Sequence, residues 1–135
     1  MTIEDLFGNY VVAFKQYKLS SVMALYSIPC MLATPVEIKW LTSQAQFETA
    51  FNEIFSQLKS ADVADIISPQ SSYSQISDTL INACVTWQFL DTNQQVFTAF
   101  SAFYVIHKIE GQWRIVNVMS FDESQYRQLD QSFKF

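Results

Sequence analysis

This sequence is short of the residues that punctuate a chain. Two glycines and three prolines in 135 residues leave no linker and no low-complexity segment. They leave no glycine-rich phosphate loop either. There is one histidine, His107, and two cysteines, Cys30 and Cys84, far apart in the chain. Neither makes a cluster with metal-ligand spacing, so no metal and no cofactor are expected, and the thiols read as reduced residues of a cytoplasmic protein. Basic residues are scarce, eight against thirteen acidic, for a net charge of −5. Without a basic cluster, nucleic acid and anionic membrane surfaces are excluded as natural partners. No apolar run approaches a membrane span. The opening residues, with Glu4 and Asp5, lack the basic region and apolar core of a signal peptide.

What is present is apolar and aromatic. Half of the residues are hydrophobic and twelve are Phe, enough for one domain with a sizeable core. The stretch from Thr79 to Phe121 organises the rest, as three consecutive antiparallel strands. In Thr79–Leu90, Ile81, Ala83, Val85, Trp87 and Phe89 share one face, while Leu80, Asn82, Cys84, Thr86 and Gln88 share the other. Phe97–Ile109 is apolar on both faces, so both must be covered. Glu110-Gly111 is a tight turn, and Trp113–Met119 returns.

Ahead of the strands, Ile3, Leu6, Phe7, Tyr10, Val11 and Phe14 recur at helical spacing behind a Thr2/Asp5 capping signal. A second short helix is expected through Val22, Met23, Leu25 and Tyr26, stopped by Pro29. Two short strands follow, Cys30–Ala33 and Val36–Leu41. Ser43 with Gln46 then caps a third helix, whose stripe of Phe47, Ala50, Phe51, Ile54, Phe55 and Leu58 must lie on a sheet. Val63–Ile76 reads as one strand, irregular around Pro69. The expected architecture is α+β, order ααββαββββ, with a curved antiparallel sheet wrapped over the N-terminal helices and one long helix. Residues 1–121 form this cone-shaped domain. Residues 122–135 are a polar tail in which Asp122 is placed to cap one more short helix.

Several phrases in this order resemble the nuclear transport factor 2-like superfamily, which includes SnoaL-like polyketide cyclases and ketosteroid-isomerase-like proteins. They are Tyr10-Val11-Val12-Ala13-Phe14, Leu19 with Met23-Ala24-Leu25-Tyr26, and the hairpin Glu110-Gly111-Gln112-Trp113-Arg114-Ile115-Val116 with Ser120 closing its strand. The resemblance implies a cystatin-like cone with a pocket at its open end, and a homodimer through the sheet. It implies little about activity, because this fold hosts unrelated functions. There are departures. Tyr17-Lys18 stands where members usually carry Gly-Asp. Tyr10 matches the tyrosine that stabilises an oxyanion in ketosteroid isomerases, but Thr34, before Pro35, stands at their general-base aspartate. A threonine hydroxyl is no base near neutral pH, and strand 97–107 holds no acidic partner, so isomerase activity is not expected.

The pocket residues expected on these grounds are Tyr10, Tyr26, Trp40, Phe51, Phe55, Trp87, Tyr104 and Asn117, with Tyr104 opposite Asn117 if a two-residue turn sets the register. Tyr10 and His107 are the catalytic candidates, neither with a complete acid–base set around it. His107 falls outside the Trp113 face in that register. Three functions follow: binding of a small apolar molecule, assembly through the sheet face, or dehydratase, cyclase or isomerase chemistry.

Overall fold

The computed structural model describes residues 1–135 as three helices and one curved, unclosed sheet of eight strands. Helix α1 (Ile3–Lys15) starts where Thr2 and Asp5 satisfy each other. The Asp5 N–H donates to the Thr2 hydroxyl and the Thr2 N–H to the Asp5 carboxylate, both at 3.1 Å. The helix stops at Tyr17, whose φ of +53° lies in the left-handed region that favours glycine. The side chain holds it there. Its hydroxyl donates to the Val63 carbonyl at 3.1 Å, its ring stands edge-on to Phe55, and Lys59 lies 5.0 Å above its face.

Helix α2 (Leu19–Met23) is brief, and β1 (Tyr26–Ala33) begins earlier than its sequence suggests. Tyr26 opens a strand and does not close a helix, and Pro29 lies inside β1, where its pairing to the neighbouring strand is irregular. After β2 (Ile38–Leu41) comes α3 (Gln44–Ser60). The Ser43 hydroxyl accepts from the Gln46 N–H at 3.2 Å, and the Gln46 side chain accepts from the Thr42 N–H at 2.7 Å. Phe47, Ala50, Phe51, Phe55 and Leu58 are the buried stripe of α3.

The expected single strand over 63–76 is two, β3 (Val63–Ile67) and β4 (Ser71–Ser77), both paired to β5 (Leu80–Asp91) on either side of the Pro69 break. β6 (Val96–Ile109) and β7 (Gln112–Phe121) complete the central meander. The sheet order is β2-β1-β7-β6-β5-β4-β8, where β8 (Gln131–Ser132) comes from the tail. One pairing departs from the antiparallel expectation: β1 runs parallel to β7.

Glu110 and Gly111 both take positive φ, +51° and +77°, as a two-residue hairpin turn with matching twist requires. Lys108 therefore faces Trp113, and His107 faces Arg114. The register then slips. Ile106 faces Ile115 but Val105 faces Asn117, so Val116 is the extra residue of a bulge. Tyr104 faces Val118, and the expected Tyr104–Asn117 pair does not form.

The tail is no helix beyond a single 3-10 turn at Glu123–Gln125, capped by Asp122. It crosses the sheet face away from the helices. There the Ser101 hydroxyl donates to the Glu123 carbonyl, and the Arg127 N–H points at Cys84 Sγ. Ser72 Oγ accepts from the Leu129 N–H at 2.9 Å and from the Tyr126 hydroxyl at 2.6 Å. The tail then rounds the edge of β4 and brings Phe133 and Phe135 against Phe7, on the helix side. No helix is long and apolar enough to cross a membrane.

Candidate functional site

Between α3 and the helix-covered face of the sheet lies a cavity of about 500 Å³. Four elements supply its inner wall: α1 gives Tyr10, β1 Tyr26, β5 Trp87 and β6 Tyr104. The Tyr10 and Tyr26 hydroxyls are 3.2 Å apart, and the Trp87 indole N–H donates to the Tyr104 hydroxyl at 2.9 Å. The Tyr10 ring stacks on Phe14 and on Trp87. Burial pushes all three phenols above their ordinary value, Tyr26 and Tyr104 well above it. Tyr10 rises less, because the neighbouring Tyr26 and Tyr104 hydroxyls favour its anion. All three are protonated at neutral pH, and since the Tyr10–Tyr26 bond uses one of their protons, two remain as donors in an apolar surround. Phenol donors in an apolar surround are chemically suited to a carbonyl oxygen or an oxyanion.

The mouth is polar. Lys39 stands 3.6 Å from Glu37 and 3.9 Å from Glu53, and all three line the cavity. Thr34 lies there too, its hydroxyl accepting from the Val36 and Glu37 N–H groups in a local turn. No three His, Cys, Asp or Glu side chains gather where they could hold a metal ion.

A family model described as NTF2-like protein (DUF6841) matches residues 2–123. The chain belongs to this NTF2-like family. Solved structures share the fold. An NTF2-like protein of unknown function from Shewanella oneidensis superposes with a TM-score of 0.70 at 12% identity, covering 87% of this chain and 94% of the other. A cystatin-like domain of unknown function from Nostoc punctiforme gives 0.71 at 13% identity, covering 95% and 76%. An NTF2-like protein from Novosphingobium aromaticivorans gives 0.71 at 10% identity, covering 87% and 77%. Identities this low speak for the fold alone. The sequence has no match among curated proteins.

Of the residues expected in the pocket of this NTF2-like cone, Tyr10, Tyr26, Phe51, Trp87 and Tyr104 line the cavity. Phe55 lies behind that wall, edge-on to Phe14 and Tyr17. Trp40 is 65% exposed, because its pairing with Met31 on the edge of the sheet puts it on the opposite face. Asn117 is on that opposite face as well, carried there by the bulge, and its buried Oδ1 has no hydrogen-bond partner. His107 is exposed at a strand end between Leu80 and Arg114, away from the cavity.

Sequence reasoning missed the rim charges Glu37, Lys39 and Glu53. Glu53 lies three residues after Ala50, on the flank of the α3 stripe, which was the available signal. Lys39 gave none, because its place depends on how β2 pairs.

Proposed function

We propose that this NTF2-like chain binds a small, mostly apolar molecule carrying one hydrogen-bond-accepting oxygen, without chemistry of its own. The observation that carries this is the cluster of protonated Tyr10, Tyr26 and Tyr104 hydroxyls on the wall of an aromatic cavity. The cavity volume of about 500 Å³ suits a drug-sized ligand. Tyr10 lines the cavity from α1 with its hydroxyl beside that of Tyr26, and we assign to it the bond to the ligand oxygen. The carboxylates that line the cavity are Glu37 and Glu53, both paired with Lys39 and neither hydrogen-bonded to a phenol as an acid–base partner. The two buried free thiols, Cys30 and Cys84, fit a cytoplasmic protein.

Titration with 2-naphthol, followed by its fluorescence, tests the reading. Saturable binding is expected, weakened about tenfold in Tyr10→Phe through loss of one hydrogen bond to the ligand oxygen. Binding that is absent, or indifferent to Tyr10→Phe, would sink it.

A second reading, assembly as a homodimer, rests on the other sheet face. The tail covers its β4–β5 half. Across the β2-β1-β7-β6 half, paired residues make two largely apolar rows, Trp40–Met31–Asn117–Val105 and Ile38–Ala33–Met119–Phe103. The half-buried Asn117 is the polar side chain of these rows, and the exposed Trp40, Ile38 and Met119 make the face apolar. Sedimentation should give a dimer for the natural chain and a monomer for Met119→Lys. A monomer in both would remove this reading and leave the first untouched.

A further inference from the structure

The tail reaches the cavity wall from behind. Phe135 stands edge-on to Trp87, ring centroids 5.5 Å apart, and the same distance from Phe7 and Phe133. Trp87 is almost fully buried and lines the cavity, and its N–H holds the Tyr104 hydroxyl. Phe135 lines a different hollow of about 400 Å³, between Ser68–Ser71 and the tail. The two rings therefore stand one behind the other between two empty spaces.

We propose that Phe135 is a positioning residue of the ligand cavity: it braces the Trp87 indole, and through that indole fixes the Tyr104 hydroxyl and the depth of the cavity. An indole lined by open space on one side keeps its rotamer only if something packs on the other. Phe7 and Tyr10 also touch it, at 6.4 and 5.7 Å between centroids. Neither belongs to the second hollow. Without the Phe135 ring, the indole has room to swing toward that hollow. Its bond to Tyr104 loosens, and the cavity lengthens. Ligand length would then be set by a residue outside the cavity lining. The inference rests on the binding reading for its ligand, but the brace itself is a property of the free protein.

The test uses the full chain as natural protein, Phe135→Ala and Phe135→Leu. Phe135 is 38% exposed, and the Phe7–Phe133 contact does not depend on it, so the variants keep their core. The first readout is hydrogen exchange of the Trp87 indole N–H by NMR, recognised as the most protected of the three indoles because Trp40 is exposed and Trp113 half-buried. Exchange is expected to be about tenfold faster in Phe135→Ala, as for a local opening eased without global unfolding, and largely restored in Phe135→Leu. The second readout is affinity for 4-ethyl-, 4-butyl- and 4-hexylphenol. The preferred chain should lengthen in Phe135→Ala, with each added methylene that fits worth roughly fourfold in Kd. Unchanged indole exchange in a cooperatively folded Phe135→Ala overturns the proposal, as does faster exchange with a superimposable chain-length profile. If no alkylphenol binds any of the proteins, the binding reading fails and the exchange rates alone decide the brace. Should Phe135→Ala melt without cooperativity, Phe135→Val takes its place in both readouts.

Discussion

The Trp87 indole donates to the Tyr104 hydroxyl across 2.9 Å in a buried setting. An indole N–H can only donate, so Tyr104 accepts there and turns its own proton elsewhere. The bond therefore gives the phenol cluster a direction. Tyr104→Phe leaves the indole N–H without a partner and is expected to lower stability by about 1–3 kcal/mol. Urea unfolding measures it. Tyr10→Phe should cost less, because the partner it leaves, the Tyr26 hydroxyl, is a rotor that lines the cavity and can turn to another acceptor. The reverse order would mean that the Trp87 bond contributes little.

Alkali should destabilise the fold in two stages. Burial raises the Cys30 thiol from 9.0 to about 11. The unfolded chain therefore loses this proton before the folded chain does. Stability is full below pH 9 and falls as pH rises toward 11, by roughly 2–3 kcal/mol from this group. Tyr10, Tyr26 and Tyr104, raised from 10.0 in the same sense, deepen the fall above pH 10. Urea midpoints between pH 7.5 and 11 test it, and Cys30→Ala should shrink the fall between pH 9 and 10, leaving the part from Cys84, whose thiol burial also raises. A Cys30→Ala curve parallel to the natural one would exonerate the thiol.

Ser72 anchors the tail, because its hydroxyl oxygen takes both the Tyr126 hydroxyl and the Leu129 N–H. Ser72→Ala strands the Leu129 N–H and leaves the Tyr126 hydroxyl only its 3.4 Å bond to Gln128, and should destabilise the chain by about 1–3 kcal/mol. The tail should then open locally, and trypsin should cut after Arg127 faster than in the natural protein. Equal cleavage rates would show that the tail is held by its phenylalanines alone.

Much of this architecture was legible in the sequence. The α3 stripe, the Thr2/Asp5 cap and the Glu110-Gly111 turn are local patterns, and each formed where its residues required. Trp87 and Tyr104 could be placed on the inner wall because the strand alternation is strict, and Tyr10 because it falls on the apolar stripe of α1. Asn117 could not. The Val116 bulge depends on how β7 twists against β6, and nothing in residues 112–121 announces it. Trp40 went to the wrong face because β1 and β2 have no sharp alternation. The parallel β1–β7 pairing joins segments distant in sequence, and no nearby residue specifies it. The tail was illegible for a different reason. Serine hydroxyls and backbone groups hold most of it, and those contacts leave no hydrophobic period to read.

Tyr17 offers a test of strain against packing. Glycine there would relieve a left-handed backbone by about 1–2 kcal/mol. It would also delete the bond to Val63, the contact with Phe55 and the Lys59 cation–π pair. Losing that much of a part-buried aromatic outweighs the relief, so Tyr17→Gly should lose about 1 kcal/mol net. A gain in melting temperature would mean that the strain dominates.

Lys39 at the mouth should matter to ligands more than to stability. Its two ion pairs are exposed, and Lys39→Ala should change stability by less than about 0.5 kcal/mol. It leaves Glu37 and Glu53 unopposed, so an anionic probe such as a naphthoate should bind more weakly at low salt. The difference should shrink as salt is added. Equal affinity of both proteins for naphthoate would take the rim out of ligand selection.

The parallel pairing of β1 with β7 has a kinetic consequence. Tyr26 reaches Tyr10 and Phe51 on the wall only when β1, from early in the chain, docks against a strand made near its other end. The β5-β6-β7 hairpins need no such closure and are the faster contacts to form. The cavity is therefore expected to close late in folding, with the long-range contacts of β1. A ligand that fills it acts only on the finished molecule: it should slow unfolding and leave the folding rate as it was.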